Sequence, residues 1–289
     1  MLSAFTIVRN AVKLNFPIVA TIFSVLGVCD EVVVNVGRSD DETREVVAGI
    51  RDSRIRLIES EWDLRHGDDT LAVETQRAMD ACRGSWGIYI QADEVLHENG
   101  ARILKEKVAE WDGDERVEGL LVNYLHFYGG FDRVATNRRW YRREVRCIRL
   151  GGDIHPYQGA QGFRVGPPSA CRKIRARLTQ AQMFHYGWAR PACAISEKLE
   201  VNKLMYPWAA DRLEGERQRG TLEWIPLLRP FTGDHPAVAR PWIADCTRRP
   251  PMPIEPQHIR ASHARYYISD WIERLTGARM FEFRNYTLV

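Results

Sequence analysis

The sequence lacks the features that mark several simple classes of protein. Its six cysteines are scattered, and no pair has the C-x-x-C spacing that is typical of a zinc site or a redox motif. No small disulfide framework is indicated, and we expect reduced thiols in a core. The longest apolar run, residues 16–28, contains Pro17 and falls short of the ~20 residues that a membrane-spanning helix needs. The sequence therefore predicts no transmembrane segment.

Neither sign of charge is in large excess. The 289 residues contain 41 Lys and Arg against 38 Asp and Glu, which gives a formal net charge of +3. This balance disfavours a protein whose main partner is nucleic acid. The N-terminus shows no basic and apolar leader, so a cytoplasmic location is expected. With 45% hydrophobic residues, the composition is typical of a globular chain with a sizeable core.

Strand-like and helix-like segments alternate through the first hundred residues. The β-branched and apolar runs predict strands at 4–8, 31–36, 54–59 and 86–90. Such alternation specifies a parallel sheet that is covered by helices on both faces. Ligands of open sheets of this kind bind beyond the carboxyl ends of the strands, where this sequence places polar clusters. We therefore expect residues 35–40 and 91–94 to line a single crevice.

The second half of the chain has a different character. Extended stretches are predicted at 117–127, 138–150 and 172–184, which indicates a mixed or antiparallel extension of the sheet. A helix over 194–213 is predicted to break near Pro207.

Prolines mark the next boundary. Eight of the 14 prolines lie in residues 226–256, a density that neither a regular helix nor a central strand tolerates. Helical spacing returns after residue 257 and ends at Gly277. We therefore divide the chain into a main domain over 1–225, a proline-rich strap over 226–256, and a C-terminal helix and tail over 257–289.

Two strand ends carry the residues with the clearest chemistry. Asp93 and Glu94 follow the strand at 86–90, and adjacent carboxylates can hold a hard divalent cation that also binds phosphate oxygens. The same pair is also typical of a solvated turn or of a helix N-cap. Residues 33–41 offer side-chain acceptors for a base or a ribose, together with Gly37, which lets a backbone approach a ligand closely.

These segments together resemble the GT-A core of a family 2 glycosyltransferase. The likeness covers residues 3–100 in order and spacing, and it lies in FTIVRNA, CDEVVVNVGRSDDET and WGIYIQADEV. Four further segments resemble the C-terminal half of bacterial members that build lipopolysaccharide and other cell-surface glycans, and they are HFYGGFD, RRWYRRE, GAQGFR and FHYGW. The resemblance implies a Rossmann-like α/β fold, with a mixed, mainly parallel sheet flanked by helices and a C-terminal helical and extended extension.

The resemblance also implies an activity. A hexosyltransferase of this family moves a sugar from a nucleotide-sugar donor to a hydroxyl of a glycan or glycolipid acceptor, by an inverting and metal-assisted reaction. The expected cofactor is Mn²⁺ or Mg²⁺. The expected location is the cytoplasm, where the protein could also associate peripherally with the inner face of the membrane. Nucleic acid is not an expected partner.

Site residues follow from the resemblance position by position. The implied nucleotide contacts are Arg9, Asn10, Asn35, Gly37, Asp40, Gln91 and Asp93. The implied metal ligands are Asp93, Glu94 and His185. Gln91 stands where the family has its first acidic residue, and an amide adds no negative charge, so we expect weak metal affinity.

A base and an acceptor site are also implied. An inverting transfer needs a carboxylate base, and Gly159 stands where similar enzymes carry an acid, so Asp153 is the candidate, with Asp132 as second choice. The implied site for an anionic acceptor or a phosphate consists of Arg138, Arg139, Arg142 and Arg143. The same arginines could equally protect an exposed strand edge against pairing.

Three other functions stay open. Gln91 and Gly159 together favour a catalytically inactive relative that binds a sugar or a nucleotide. The arginines and aromatic residues of 138–149 favour a nucleic-acid-binding protein, which the near-neutral charge opposes. A nucleotide-sugar pyrophosphorylase has a similar architecture, but the glycine-rich loop of such enzymes is missing after the first strand.

Overall fold

The alternating N-terminal segments build one half of a curled sheet. The computed structural model describes residues 1–67 and 69–289. Its first four strands are parallel neighbours in the order β3-β2-β1-β4, and their bounds are Leu2–Val8 (β1), Glu31–Gly37 (β2), Ile55–Ser60 (β3) and Trp86–Tyr89 (β4). The connecting helices are Ile18–Leu26 (α1), Thr43–Ala48 (α2) and Asp69–Asp80 (α3). Both faces of β1 and β2 are buried, which explains why these strands are continuously apolar.

Helices cover the two faces of this half-sheet. Ile22 of α1 and Val47 of α2 pack in one apolar cluster with alternate residues of β1 and β2. Ala78 and Met79 of α3 pack in a second cluster with the residues between them, such as Phe5. Successive side chains of a strand point to opposite faces of the sheet, so β1 and β2 contribute to two separate apolar clusters.

The second half of the sheet is mixed. Its elements are Glu94–Leu96 (β5), Glu98–Trp111 (α4), Gly119–Tyr128 (β6), Arg133–Ala135 (β7), Arg143–Arg149 (β8), Ile154–Tyr157 (β9), Gly162–Val165 (β10) and Arg172–Trp188 (β11). β8 is antiparallel to β4 and to β6, whereas β11 is parallel to β6 and antiparallel to β10 and β5. The full order is β3-β2-β1-β4-β8-β6-β11-β10-β9. The predicted Rossmann-like, mixed α/β sheet flanked by helices, of the GT-A type, is confirmed.

Helices dominate the segment after β11. The predicted break at Pro207 is confirmed, because a 3₁₀ turn that begins there separates the two helices. The remaining elements are Ala192–Met205 (α5), Ala210–Arg219 (α6), Leu228–Pro230 (β12), Arg240–Thr247 (α7), Ala264–Thr276 (α8) and Tyr286–Leu288 (β13). α8 ends at Gly277 in the left-handed conformation, with φ at 71°, as the sequence predicts.

The proline-rich segment contains regular structure that the sequence did not predict. β12 pairs with the short strand β7 and ends at Pro230. Pro241 lies in the first turn of α7, where a missing N–H is harmless. The prolines therefore limit the length of these elements without preventing them.

The cysteines and the helices bear on two further expectations. All six cysteines are free, and Cys29, Cys147 and Cys246 are buried. Among the helices of the described residues, none has both the length and the apolar character needed to span a bilayer.

Candidate active site

A pocket of about 540 Å³ opens beyond the carboxyl ends of β1 and β4. The end of β1 contributes residues 7–9, and the turn after β4 contributes residues 91–93. His185 of β11 and Lys198 of α5 line it as well, and the loop after β3 adds Trp62. Open α/β sheets bind their ligands at this edge.

Cationic side chains surround Asp93. Its Oδ2 atom lies 3.6 Å from Nζ of Lys198 and 3.7 Å from Nε2 of His185. The backbone of Asp93 is fixed to β11, since its carbonyl accepts a hydrogen bond from the N–H of Tyr186 at 2.8 Å. The turn after β4 therefore places the carboxylate of Asp93 next to His185 at the end of β11 and Lys198 of α5.

Arg190 adds a second permanent positive charge. It is buried and donates hydrogen bonds to the carbonyl of Gly187 at 2.8 Å and to the carbonyl of Leu14 at 2.5 Å. Lys198 donates to the same Gly187 carbonyl at 2.9 Å. Asp93 is the one carboxylate that acts on either cation within the described residues. The cluster therefore has an excess positive charge, which an anionic ligand would compensate.

The pKa values of these groups follow from burial and mutual attraction. Burial opposes ionisation of Asp93, but His185, Lys198 and Arg190 outweigh it and hold the pKa of that carboxyl far below its ordinary value. Burial lowers the pKa of Lys198 to about 8, helped by Arg190 and opposed by Asp93. Burial lowers the pKa of Arg190 to about 10, again opposed by Asp93. All three groups are therefore predominantly charged at neutral pH.

His126 determines which nitrogen of His185 faces the pocket. Nε2 of His126 lies 2.7 Å from the carbonyl oxygen of Tyr141, which can only accept, so this nitrogen carries the proton. Burial and the neighbouring His185 hold the pKa of His126 well below its ordinary value, so its Nδ1 is unprotonated. That atom lies 3.0 Å from Nδ1 of His185, which must donate to it. Nδ1 of His185 therefore carries a proton, and its Nε2 lies on the side of Asp93.

Gly187 allows His185 and Asp93 to come together. A Cβ atom at this position would lie 2.6 Å from Nε2 of His185 and 3.1 Å from Oδ2 of Asp93. Real side chains do not tolerate the shorter of these contacts. The glycine in FHYGW is therefore a requirement of the site.

The rest of the lining includes aromatic and apolar side chains. Trp62, Leu64, Leu71 and Tyr89 contribute to it. Trp62 packs directly on Gly37, where a Cβ atom would lie 2.5 Å from the indole Nε1. A pocket that combines a flat apolar wall with a cationic cluster suits a ligand that is planar at one end and anionic at the other.

The residues predicted at the tip of β2 are placed differently. Asn35 is fully buried, donates to the carboxylate of Glu74 at 2.9 Å and accepts from the hydroxyl of Ser60 at 2.8 Å. The amide nitrogen and the amide oxygen of Asn35 are therefore both hydrogen-bonded inside the protein. Gly37 is covered by Trp62 and lines a separate hollow of about 420 Å³ with its neighbours in the β2 turn. The expectation of a single crevice is therefore wrong, because Trp62 stands between the two hollows.

Asn10 and Asp40 bind each other. The backbone N–H of Asp40 donates to Oδ1 of Asn10 at 2.9 Å, and the Asn10 amide donates back to the Asp40 carboxylate at 3.3 Å. Arg9 lines the pocket, donates to the carbonyl of Arg38 at 2.9 Å and lies 3.6 Å from Asp40. Of the predicted nucleotide contacts, the structure brings Arg9, Gln91 and Asp93 into one pocket.

Glu94 stabilises the turn after β4 from inside the protein and does not line the pocket. It is fully buried, and its carboxylate accepts from Arg146 at 3.1 and 3.2 Å. The hydroxyl of Tyr124 donates to it at 2.7 Å and the backbone N–H of Gln91 at 3.0 Å. These contacts occupy both oxygens, so Glu94 is not free to bind a metal ion.

The two predicted base residues also lie elsewhere. Asp153 and Asp132 are both exposed and outside the pocket, and Asp132 pairs with Arg133 at 3.0 Å. Gly159 does line the pocket, but it has no side chain to accept a proton. Neither aspartate is therefore positioned to act on a ligand there.

The four predicted acceptor arginines lie outside this pocket. Arg142 pairs with Glu282 at 2.6 Å and with Glu273 at 3.0 Å. Arg138 stacks over the ring of Phe281, with 5.1 Å to its centroid. The C-terminal helix and tail thus cover these two arginines.

The other two of the four have different partners. Arg143 donates to the side chain of Asn123 at 3.1 Å. Arg139 lies 4.0 Å from Glu223 and lines a small third hollow. Neither contact brings a guanidinium to the cluster around Asp93.

Two residues that line the pocket and the buried Arg190 beside it were missed from the sequence. Arg190 stands two positions after FHYGW, so the motif could have been extended to include it. Lys198 lies in a helix without any local sign of a ligand, and Trp62 follows a strand in an ordinary polar loop. Only the tertiary fold brings the last two to Asp93.

The residues around Asp93 do not fit a divalent cation. Among the described residues, no group of three or more His, Cys, Asp or Glu side chains is arranged to hold a metal ion. Asp93 and His185 supply two donors, and Glu94 is bound to Arg146. The ammonium of Lys198 lies 3.6 Å from the oxygen that a metal ion would use, so the two cations would compete for one carboxylate and repel each other.

Comparisons with known proteins give matches among solved structures. No protein-family model and no curated protein sequence matches the chain. TarS residues 1–349 of S. aureus, in complex with UDP, align with 75% of this chain and 70% of that one, at 13% identity and a TM-score of 0.44. Glucosyl-3-phosphoglycerate synthase from Mycobacterium tuberculosis, in complex with Mn²⁺, UDP and glucosyl-3-phosphoglycerate, aligns over 45% of each chain, at 18% identity and a TM-score of 0.31.

A third match is a nucleotidyl transferase from Methanothermobacter. It aligns with 51% of this chain and 70% of that one, at 16% identity and a TM-score of 0.30. Similarity this distant does not assign a reaction to this chain.

Proposed function

We propose that the pocket binds the diphosphate of a nucleotide sugar, and that the chain transfers the sugar to a hydroxyl of a glycan or glycolipid acceptor. The observation that carries the proposal is the cluster in which Lys198 and Arg190 bind the same Gly187 carbonyl and Asp93, 3.6 Å from Lys198, is the one carboxylate that acts on them among the described residues. A diphosphate would compensate the excess charge through charge-assisted hydrogen bonds. The location beyond the carboxyl ends of β1 and β4 supports it, as does the sequence resemblance to GT-A glycosyltransferases.

The remaining lining suits the other parts of such a donor. The aromatic wall that includes Trp62 would hold the base. The amides of Gln91, Gln158, Gln161 and Asn202 line the same pocket and offer donors and acceptors for ribose and sugar hydroxyls. Arg9 provides a further cation at the end of β1.

The chemistry follows from where the charges lie. In the proposed reaction the acceptor oxygen forms a bond to the anomeric carbon while the bond from that carbon to the diphosphate breaks, and the hydroxyl proton passes to solvent water. The diphosphate leaves with the electron pair, and the preorganised cations stabilise the developing charge. Nδ1 of His185 is held by His126, which places Nε2 on the side of Asp93, next to where the phosphate oxygens would lie.

Metal assistance and the predicted bases are not part of this proposal. Lys198 stands close to where a metal ion would bind, and both Asp153 and Asp132 lie outside the pocket. Inversion remains an expectation from the resemblance. The proposal includes association with a membrane only where the acceptor is a glycolipid.

One observation favours a second candidate, a catalytically inactive protein that binds nucleotide sugars. Asp93 is the one carboxylate among the described residues that line the pocket, and it is held between cations. An acceptor hydroxyl therefore has no free carboxylate base within that lining.

A thermal-shift screen with UDP-, GDP-, CMP- and dTDP-sugars tests the proposed ligand class. A ligand at a hundred times its Kd stabilises the native state by about 2.7 kcal/mol and raises the melting temperature. We expect a nucleoside diphosphate to give a clear shift and the uncharged nucleoside, the matched control, to give much less. Equal shifts from the two would contradict a diphosphate site. Release of free nucleotide in the presence of acceptor mixtures would distinguish the enzyme from the inactive binding protein.

A further inference from the structure

We propose that Lys198, held in place by Asp93, acts where a metal ion would otherwise act, so that this site binds a nucleoside diphosphate without a divalent cation. The inference rests on the proposed function and adds to it the nature of the group that neutralises the diphosphate. Asp93 then becomes a positioning residue for Lys198.

The position of the ammonium group is fixed from three sides. Nζ of Lys198 lies 2.9 Å from the carbonyl oxygen of Gly187 and 3.6 Å from Oδ2 of Asp93. It also lies over the ring of Trp188, at 4.8 Å from the centroid. An ammonium group has three N–H donors, and Lys198 lines the pocket, so donor capacity remains for a phosphate oxygen.

The surrounding charges favour this arrangement over a metal ion. Arg190 is buried next to the same carbonyl and stacks on Phe16, at 4.7 Å from the ring centroid. A divalent cation bound to Asp93 would be repelled by the positive charges of Lys198 and Arg190, whereas a diphosphate would be attracted to both. Gln91 in place of a carboxylate is consistent with this, because an acid there would neutralise the charge that the ligand needs.

The two assignments of Asp93 predict opposite results. If Asp93 were a metal ligand, Asp93→Asn would abolish a metal-dependent affinity. If Asp93 positions Lys198, Asp93→Asn removes a negative charge from an anion site and keeps a hydrogen-bond acceptor. We then expect the affinity for UDP to stay within about tenfold of the wild type.

Isothermal titration with UDP, GDP and CDP, in EDTA and in Mn²⁺, tests the proposal on the full chain. We expect the same affinity in both buffers, a loss of at least tenfold in Lys198→Met, and retention of binding in Lys198→Arg. Lys203→Met is the matched control on the same helix, since Lys203 pairs with Glu200 and Glu214 and does not line the pocket. Thermal unfolding of each variant verifies that it is folded.

The outcomes separate this inference from the proposed function. Binding that requires Mn²⁺, or a Lys198→Met variant with wild-type affinity in EDTA, would overturn the inference and leave the proposed function standing. No binding of any nucleotide in either buffer would remove both. Binding in EDTA that depends on Lys198 but not on Lys203 would establish the inference.

Discussion

A methyl group at position 187 would collide with two side chains of the pocket at once. Its distances to Nε2 of His185 and Oδ2 of Asp93 would be 2.6 and 3.1 Å. The His185 ring cannot move away freely because its other nitrogen, Nδ1, lies 3.0 Å from Nδ1 of His126 in a hydrogen bond. Overpacking of this kind typically lowers the free energy of unfolding by about 1–3 kcal/mol. Because the collision also displaces His185 or Asp93 from the pocket, we expect Gly187→Ala to weaken nucleotide binding by about tenfold or more in titrations.

Gly113→Ala is the control for this substitution. A Cβ atom there would meet no atom within 4 Å in the described structure. We expect its nucleotide affinity to equal that of the wild type. Wild-type affinity in Gly187→Ala as well would show that the ligand does not depend on the placement of His185 and Asp93.

At the scale of residues, the sequence predicted the neighbours of some polar side chains but not the partners that others bind. Asp93 and His185 lie together as the motifs predict, because strand ends and short turns fix the direction of these side chains. Asn35 and Glu94 are polar residues of the same motifs, yet both are saturated by buried partners that come from distant parts of the chain. A local pattern cannot tell a polar group that faces a ligand from one that faces a remote arginine.

At the level of elements, β8 supports the turn that carries Asp93. Arg146 of β8 and Glu94 are both fully buried, and Arg146 also donates to the carbonyl of Gln161 at 2.7 Å. Arg146→Leu would leave the Glu94 carboxylate buried without a cation, which costs about 3–5 kcal/mol. We expect a correspondingly lower free energy of unfolding in denaturant titrations.

An exposed ion pair provides the contrast. Arg102 and Glu106 pair at 3.1 Å on α4, with more than half of each side chain accessible. We expect Arg102→Leu to change the free energy of unfolding by less than about 1 kcal/mol. Equal effects of Arg102→Leu and Arg146→Leu would mean that the buried pair does not support the turn.

The elements also show what periodicity could predict. The strands and helices of the N-terminal half were predictable, because apolar strand-like runs alternate with helical segments there. α4 was not assigned, since Asn99-Gly100 at its start is typical of a turn; Gly100 is needed because a Cβ atom there would lie 3.0 Å from the backbone of Gln182. β5 is three residues long, and β9 contains Pro156, so neither has a pattern long enough to predict.

For the whole molecule, the C-terminal segment is attached to the main sheet. β13 is parallel to β11, with Tyr286 opposite Ile174. Arg164 donates to the carbonyl of Asn285 at 2.8 Å, and Arg142 reaches Glu282. The tail therefore contacts the core of the main sheet, and the division at 225 and 256 stays a prediction from the prolines.

A pair of substitutions in the tail tests whether the chain unfolds as one unit. Tyr286 is 5% exposed and belongs to the apolar cluster of Phe163 and Ile174, whereas Phe283 is 57% exposed. We expect Tyr286→Ala to lower the free energy of unfolding by about 3 kcal/mol and Phe283→Ala to change it by less than about 0.5 kcal/mol. Amide hydrogen exchange followed along the denaturation curve reports on the main sheet through the buried strands β1 and β4. If that signal moves with Tyr286→Ala alone, the tail and the N-terminal half unfold together; if neither substitution moves it, residues 257–289 form an independent unit.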